Sequence, residues 1–380
     1  MKIARTLFHT ISAQVAEGRK GVILYGPRQV GKTTLVNDLI AHFGMKTLVL
    51  NGDLQGNWWE SFTSRELPKL KLLVSGYDLI VVDEAQRIPE AGLTLKILLD
   101  SFPSLKVIAT GSSSLDLASR VSEPLTGRAY SYYLYPIAQL ELATTNTPYE
   151  LMATLEERLV YGSYPEIFSL NGATARDTYL RNLTNSYLYK DLLEFGDVRN
   201  AHKIRDLLKL LAFQVGSQIS LSELASALDM GHVTVDRYID LLEKSFIIFR
   251  LSGLSRNLRK EVRKMDKIYF YDTGVRNVII DNLKSLKDRN DVGQLWENWL
   301  VVERMKYLNY TQHPAATYFW RTHTGAELDY VEEAGGKLYG YEFKYGSKTA
   351  KVPAGWRTAY RDASFACINR ETYLNFVLGE

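Results

Sequence analysis

Apolar and polar positions divide the first 110 residues into elements of two kinds. From Ile3 to Val15, apolar residues recur at every fourth position, which predicts a helix with one buried face. Mostly apolar runs at 21–25, 79–82 and 105–109 indicate short buried strands. Helices alternating with buried strands predict an α/β domain.

A glycine-rich loop joins the first predicted strand to the next predicted helix, and it satisfies the pattern G-x-x-x-x-G-K-S/T without exception. Its glycines let backbone N–H groups turn toward a phosphate, and the helix dipole points at the same place. We expect Lys32 to reach the β- and γ-phosphates of ATP and the Thr33 hydroxyl to ligate Mg²⁺. The predicted nucleotide-binding residues are Gly26, Pro27, Arg28, Gln29, Val30, Gly31, Lys32, Thr33 and Thr34.

Two carboxylates, Asp83 and Glu84, end the apolar run at 79–82. In P-loop NTPases we expect such a strand to lie beside the P-loop strand, where its terminal aspartate holds the Mg²⁺ shell. Asp83 takes that role in this interpretation. Glu84 is then placed to polarise the attacking water as a general base. The pattern therefore predicts hydrolysis of ATP rather than binding alone.

Small hydroxyl residues end the third predicted strand. Thr110 or Ser112 could hydrogen-bond the γ-phosphate or the attacking water, and the alternative is a serine-rich turn that satisfies its own backbone. Arg120 and Arg128 follow. Arg128 is the candidate for an arginine finger that acts on a neighbouring subunit, which implies a homo-oligomer, and a plain surface arginine is the alternative.

At this point the chain resembles the bacterial and archaeal AAA-type ATPases that join a P-loop core to an uncharacterised C-terminal domain. The resemblance implies ATP hydrolysis with Mg²⁺ and a helical lid over 141–215 that closes over the nucleotide. It rests on GPRQVGKTTL (26–35), VVDEAQ (81–86), TGSS (110–113), LTGR (125–128), GSYPE (162–166), KIYFYDTG (267–274) and WEN (296–298).

The pattern over 216–275 predicts a winged helix-turn-helix, with two helices, a tight turn and a two-stranded ribbon. In a DNA-binding version, the second helix would offer His232, Thr234 and Arg237 to the major groove. The stretch 250–267 carries seven basic and two acidic residues and could make salt-dependent contacts with phosphates. A solvated loop, or a surface that docks on a neighbouring subunit, are the alternatives.

The region from 276 to 380 resembles the restriction-endonuclease-like core, in which a helix Glu, a strand Asp and a Glu-x-Lys form the site. By that match Glu297, Asp329 and Glu342 would hold a second divalent metal, Mg²⁺ or Mn²⁺. Lys344 would stabilise charge or help to activate water. The same fold also serves as a non-catalytic binding platform, so both interpretations stay open.

The composition and the net charge limit the kinds of protein that this chain can be. The 380 residues carry a net charge of +3, so any affinity for nucleic acid must come from local patches. The single cysteine, Cys367, excludes an internal disulfide framework. With no apolar run of about 18 residues, the sequence predicts a soluble, cytoplasmic protein without membrane contact.

The predicted fold class is multidomain α/β. It comprises an AAA-type P-loop core (1–140), a helical lid (141–215), a winged helix (216–275) and a nuclease-like domain (276–380). The predicted function is ATP hydrolysis linked to action at DNA, with the ATP state controlling access to the nuclease-like domain. The alternative is an ATP-dependent signalling or assembly switch whose winged-helix and C-terminal domains bind a protein partner without nuclease activity.

Overall fold

The chain forms two compact units. The first comprises residues 2–135 together with 244–246, and the second comprises 136–243 and 247–380. Ser112, Arg120 and the basic residues between 256 and 265 lie outside the described part of the chain. The computed structural model of the protein describes residues 3–111, 125–185, 201–255, 266–323 and 325–379.

A five-stranded parallel sheet forms the centre of the first unit. Every residue of the strand that precedes the glycine-rich loop is buried, as its apolar sequence predicts. The strands are β1 (Gly21–Tyr25), β2 (Thr47–Asn51), β3 (Leu79–Asp83), β4 (Lys106–Gly111) and β5 (Ala129–Tyr133). The helices are α1 (Leu7–Glu17), α2 (Lys32–Phe43), α3 (Trp59–Thr63), α4 (Leu67–Val74) and α5 (Ala91–Ser101), with a 3₁₀ turn at Ala85–Arg87.

The order of the strands corrects one expectation from the sequence. The strand that ends in Asp83 does not lie beside the P-loop strand, because β4 is inserted between β1 and β3. The order is β2-β3-β4-β1-β5. Since the carboxyl ends of parallel strands meet at one edge, the end of β4 is placed between the glycine-rich loop and Asp83.

Helices make up much of the second unit. The expected helical region after residue 140 is present over the described residues. The helices are α6 (Gln139–Leu142), α7 (Pro148–Ala153), α8 (Leu155–Tyr161), α9 (Ala173–Leu183), α10 (Ala201–Phe213), α11 (Leu221–Ala227), α12 (His232–Lys244), α13 (Thr273–Ile279), α14 (Val292–Tyr310), α15 (Ala354–Ala359) and α16 (Tyr373–Leu378), with 3₁₀ turns at Pro165–Phe168 and Leu286–Asp288.

Buried polar side chains tie α8 and the turn after it to α13. Asn277 donates from Nδ2 to the carbonyl oxygens of Leu159 (3.0 Å) and Val160 (2.8 Å). Asp272 accepts a hydrogen bond from the backbone N–H of Ser163 at 2.7 Å. Because unpaired buried polar groups are costly, these bonds fix the two segments against each other. The segment predicted as a lid is thus built into the unit that holds the C-terminal region.

Two helices and a ribbon occupy the region predicted as a winged helix, and α10 lies just before it, in the region predicted as a lid. The helices α10, α11 and α12 precede an antiparallel pair, β6 (Ile248–Leu251) and β7 (Lys267–Phe270). Ser220 caps α11, because its Oγ accepts from the N–H of Glu223 at 3.3 Å.

A four-stranded sheet completes the second unit, in the order β11-β10-β9-β8. The first three strands along the chain form an antiparallel meander, and the last one pairs parallel to β10. Trp320, Leu328 and Trp356 are in the core on one side of this sheet. The strands are β8 (Ala316–Arg321), β9 (Glu327–Ala334), β10 (Lys337–Phe343) and β11 (Ser364–Ile368).

The chain after β6 is hydrogen-bonded to the edge of this sheet. The N–H of Phe319 donates to the carbonyl of Ser252 at 3.0 Å, and the N–H of Leu254 donates to the carbonyl of Phe319 at 2.7 Å. The ribbon is therefore attached by backbone hydrogen bonds to the region predicted as nuclease-like.

Candidate active site

The glycine-rich loop has the backbone conformation that an anion-binding loop needs. Gly26, Gln29 and Gly31 all have positive φ, at 156°, 60° and 97°. A Cβ atom on Gly26 would lie 2.2 Å from the carbonyl oxygen of Leu134, so only glycine fits there. α2 begins at Lys32, and its N-cap Gly31 has no side chain with which to accept the first N–H groups. A phosphate at this position would accept them instead.

Lys32 is held inside the loop. Its side chain is 5% exposed, and Nζ donates to the carbonyl oxygens of Gly26 (2.8 Å) and Pro27 (3.0 Å). These contacts position a cation where the sequence motif places the β- and γ-phosphates. The structure thus brings the predicted lysine to the mouth of the predicted phosphate loop.

Thr33 and Asp83 form the pair that would hold Mg²⁺. The Thr33 hydroxyl donates to Oδ2 of Asp83 at 3.0 Å. Adjacent ligands of an octahedral Mg²⁺ lie about 2.9 Å apart, given metal–oxygen distances of about 2.0–2.1 Å. Both ligands are oxygens, which this cation prefers. The residues present therefore fit Mg²⁺, which the Thr33 hydroxyl and the Asp83 carboxylate would ligate together.

Thr110 connects Asp83 to Glu84. It is the next-to-last residue of the inserted strand β4 and is fully buried. Its hydroxyl donates to Oδ1 of Asp83 and accepts from the N–H of Glu84 at 3.3 Å. The candidate sensor therefore contacts the two acidic residues directly, and this contact depends on the strand order that the sequence did not predict.

Glu84 has a left-handed backbone conformation, with φ of 50°. Its carboxylate accepts a hydrogen bond from the side-chain amide of Gln86. A strained non-glycine residue persists only where its surroundings hold it, and functional sites often contain such residues. Glu84 directly follows β3, so it lies at the carboxyl edge of the parallel sheet, where the glycine-rich loop also follows β1.

Arg128 lies at the opposite edge of the sheet. Its carbonyl accepts from the N–H of Gly21, the first residue of β1. Five strand residues at about 3.3 Å each separate that edge from Gly26, a distance of about 16 Å. Its Nε is 2.7 Å from the carboxylate of Asp100. Arg128 therefore cannot reach the nucleotide of its own chain, and the finger role requires a neighbouring subunit.

Arg5 contacts the glycine-rich loop, and the sequence did not predict this contact. Its Nη1 donates to the carbonyl of Val30, inside the glycine-rich loop, at 2.7 Å. The residue precedes α1 and is 25 positions away along the chain, so no local pattern indicates the contact. Arg5 thus braces the loop from a neighbouring segment.

The residues predicted as a second metal site converge around a lysine. Nζ of Lys267, on β7, lies 3.0 Å from Glu297, 2.7 Å from Glu327 and 4.0 Å from Asp329. Within the described ranges, no group of three or more His, Cys, Asp or Glu side chains is arranged to hold a metal ion. The expected divalent metal does not fit here, because an ammonium group lies among its expected ligands.

Glu342 and Lys344 pair with each other next to this cluster. Lys344 Nζ lies 2.6 Å from Oε1 of Glu342. The Glu-x-Lys side chains therefore share one face of the sheet, as the spacing predicts. Asp329 accepts from the N–H of Phe343 at 2.7 Å. The four residues predicted as the nuclease-like site are thus brought close together, and each of the three acids accepts from at least one donor of the protein.

Burial and neighbouring charges perturb the acids of this cluster. Burial and the charges of Glu297 and Glu342 together raise the pKa of Asp329 to about 8, although Lys267 acts to lower it. Burial also raises the pKa of Glu297 above its usual value. Burial lowers the pKa of the Lys267 ammonium, but the surrounding carboxylates outweigh burial and leave that pKa raised. Lys267 is accordingly a cation at neutral pH.

The predicted DNA-contacting residues lie on an exposed surface. His232, Thr234 and Arg237 are all exposed on α12, and Val233 beside them is 84% exposed. The basic stretch 250–267 is described only at its ends.

Both described basic residues of that stretch are paired with acids. The guanidinium of Arg250 lies 3.1, 3.3 and 3.0 Å from Asp236, Asp240 and Glu243. Lys267 is buried among the carboxylates already described. The pairing of both charges with acids within the fold argues against phosphate contact by these two residues.

The sheet, the phosphate loop and the Thr33–Asp83–Thr110 contacts define a P-loop ATPase of the AAA type. Residues 18–143 match the family described as an AAA domain. Two families described as domains of unknown function match the rest: DUF8612 over residues 152–286 and DUF4143 over residues 292–374.

The chain belongs to the family of the uncharacterized protein Rv2008c of Mycobacterium tuberculosis. The two are 32% identical over 355 residues, which cover 91% of this chain and 74% of that protein. The uncharacterized protein MJ1544 of Methanocaldococcus jannaschii is 23% identical over 299 residues, covering 74% of this chain and 65% of that protein. The Walker-type ATPase PABY2304 of Pyrococcus abyssi superposes with a TM-score of 0.48 at 16% identity, covering 72% of this chain and 94% of that one.

Among the helices of the described residues, none combines the length and the apolar character needed to cross a membrane.

Proposed function

We propose that this protein is an ATP-driven switch that acts at DNA, with hydrolysis at the P-loop and DNA contact through the exposed face of α12. The ATPase part of this proposal rests on three hydrogen bonds, which join Thr33 to Asp83, Asp83 to Thr110, and Thr110 to Glu84. The contacts support these assignments, because they link the proposed metal ligand, sensor and base at the sheet edge where Lys32 lies.

Each residue of the site has one role in this proposal. Lys32 and the loop N–H groups bind the phosphates, and Thr33 with Asp83 would hold Mg²⁺, which neutralises charge that develops on the phosphates. Thr110 orients Asp83 and the backbone of Glu84. The Glu84 carboxylate accepts the proton of the attacking water.

Replacement of Glu84 by Gln tests this assignment. The amide cannot take up the proton of the attacking water, so turnover of ATP falls by about 10²–10⁴-fold while nucleotide still binds. Glu17→Gln, at the exposed end of α1, is the matched control and keeps the wild-type rate. Wild-type turnover by Glu84→Gln would remove Glu84 as the base.

The exposed face of α12 supports the DNA half of the proposal. His232, Thr234 and Arg237 project from the first turns of a helix that follows a tight turn, the arrangement that a recognition helix uses. Fluorescence anisotropy with duplex DNA tests it, with and without ATP. Arg237→Ala should weaken binding and lower the salt slope by about one charge. Lys209→Ala, on α10, is the control.

One observation favours the alternative switch that binds a protein partner. The ribbon is hydrogen-bonded to the C-terminal sheet through Phe319, and Arg250 and Lys267 are neutralised inside the fold. A ribbon held in this way serves packing, and α12 with its exposed Val233 then offers a mixed polar and apolar surface. If duplex DNA does not bind in any nucleotide state, the partner-binding switch replaces the DNA proposal.

A further inference from the structure

Where β7, α14 and β9 meet, the ammonium group of Lys267 lies among the carboxylates. Lys267 Nζ lies 3.0 Å from Oε1 of Glu297 and 2.7 Å from Oε1 of Glu327. Its distance to Oδ1 of Asp329 is 4.0 Å. Oxygen ligands of Mg²⁺ or Mn²⁺ must approach a shared point at about 2.0–2.2 Å, and here the shared point is the ammonium.

The position of this ammonium is fixed by the fold. Lys267 is the first residue of β7, its Cα is paired with Leu251 across the ribbon, and its side chain is only 3% exposed. The ring of Phe319 lies 5.4 Å from Nζ. A side chain enclosed in this way does not leave the cluster without exposing buried carboxylates, which is costly.

Other protein donors also engage these carboxylates. The hydroxyl of Tyr269 donates to Oε1 of Glu297 at 2.6 Å, the same oxygen that Lys267 contacts. The N–H of Phe343 donates to Asp329, and Lys344 lies 2.6 Å from Glu342. Each of the three expected ligands is therefore already paired with a donor of the protein.

Cations of the protein already lie beside the carboxylates of the cluster. The described cations are Lys267, Lys344 and Arg321, whose Nε is 3.8 Å from Glu327. They face the carboxylates of Glu297, Glu327, Asp329 and Glu342. A divalent cation added here would have to overcome the repulsion of the enclosed ammonium.

We infer that the ammonium of Lys267 neutralises Glu297, Glu327 and Asp329 where the sequence predicts a divalent metal, so that this region binds no divalent metal and has no metal-dependent nuclease activity. Lys267 also joins the ribbon to α14 and β9, since its three acidic partners lie on those elements. This inference rests on the C-terminal cluster alone and does not depend on ATP hydrolysis.

Titration of the full chain with Mn²⁺ tests the inference by calorimetry and by thermal shift. The experiment uses an Asp83→Asn background, which removes the metal ligand at the P-loop. The background protein should show no stoichiometric Mn²⁺ binding at the C-terminal cluster. Lys267→Met removes the ammonium, retains an unbranched side chain and should increase Mn²⁺ affinity at least about tenfold.

Two further variants identify the site. Adding Asp329→Asn to Lys267→Met should abolish the new Mn²⁺ binding. Lys337→Ala, an exposed lysine on β10, should leave Mn²⁺ affinity as in the background protein. If Lys267→Met does not fold, Glu327→Gln keeps the ammonium and should still bind no Mn²⁺.

Three results would overturn the inference. The first is one equivalent of Mn²⁺ bound by the background protein and lost with Asp329→Asn. The second is Mn²⁺-dependent cleavage of DNA by the wild type that is lost with Lys344→Ala. The third is a folded Lys267→Met protein that gains no affinity for Mn²⁺. None of these readouts measures ATP turnover, so failure here is distinct from failure of the ATPase proposal.

Discussion

Asp329→Asn should make the protein more stable at alkaline pH. Asp329 is 15% exposed and accepts a hydrogen bond from the N–H of Phe343, which an asparagine oxygen can also accept. Burial, together with Glu297 and Glu342, raises its pKa to about 8. The amide has nearly the same shape and carries no charge, so it removes the cost of ionising the buried carboxyl.

The sign of the effect follows from the two pKa values. In the unfolded chain the pKa of an aspartate is about 3.9, and in the folded protein that of Asp329 is about 8. Between these values the folded state holds a proton that the unfolded state has released. The free energy of unfolding of the wild type therefore falls by about 1.4 kcal/mol for each pH unit through this group. Below about pH 4 and well above pH 8 the group contributes no slope.

The Asn variant lacks this slope, so its stability relative to the wild type should increase by about 4 kcal/mol between pH 5 and pH 8. A change of 1 kcal/mol moves Tm by about 2–4 °C for a unit of 150–250 residues. The difference in Tm between the two proteins should therefore grow by about 8–16 °C over that range.

Thermal melts of both proteins from pH 5 to pH 9 measure this difference. Other titrating groups are common to the two proteins and cancel in the comparison. Asp362→Asn, at an exposed site, is the control and should follow the wild type at every pH. Parallel Tm profiles for Asp329→Asn and the wild type would show that the pKa of Asp329 is not raised. A variant less stable than the wild type at pH 8 would show that its ionised form is stabilised.

Three further predictions concern other sites. Thr110→Val removes the hydroxyl between the two acids and should lower ATP turnover at least about tenfold, with nucleotide affinity within about threefold, as measured by steady-state and binding assays. Asn298→Ala leaves the N–H and carbonyl of Phe270 without their partners (2.7 and 3.0 Å), so chemical denaturation should show a loss of about 2–5 kcal/mol. Arg128→Ala mixed with Glu84→Gln should recover turnover if the finger acts between subunits, and no recovery in subunits shown to exchange would contradict that role.

Contiguous residues determined the nucleotide site. The loop from Gly26 to Thr33 specifies its own backbone through glycines, and the dipole of the following helix needs no distant partner. The strand ending in Asp83 and Glu84 is readable because a run of apolar residues followed by acids is a local pattern. The AAA family match agrees with this local information.

The strand order and the long-range contacts of these segments were decided only by the tertiary structure. Strand order depends on packing among helices and strands far apart in sequence, so the insertion of β4, and with it the contact of Thr110 with Asp83, had no local signal. The same holds for Arg128, which the fold places at the far edge of the sheet. Lys267 looks like one more charge in a basic stretch, yet folding buries it among acids that follow it by 30 to 62 positions. The charge of a side chain can be read from the sequence. The charges of its neighbours depend on the fold, because ion pairs of this kind join residues that only folding brings together.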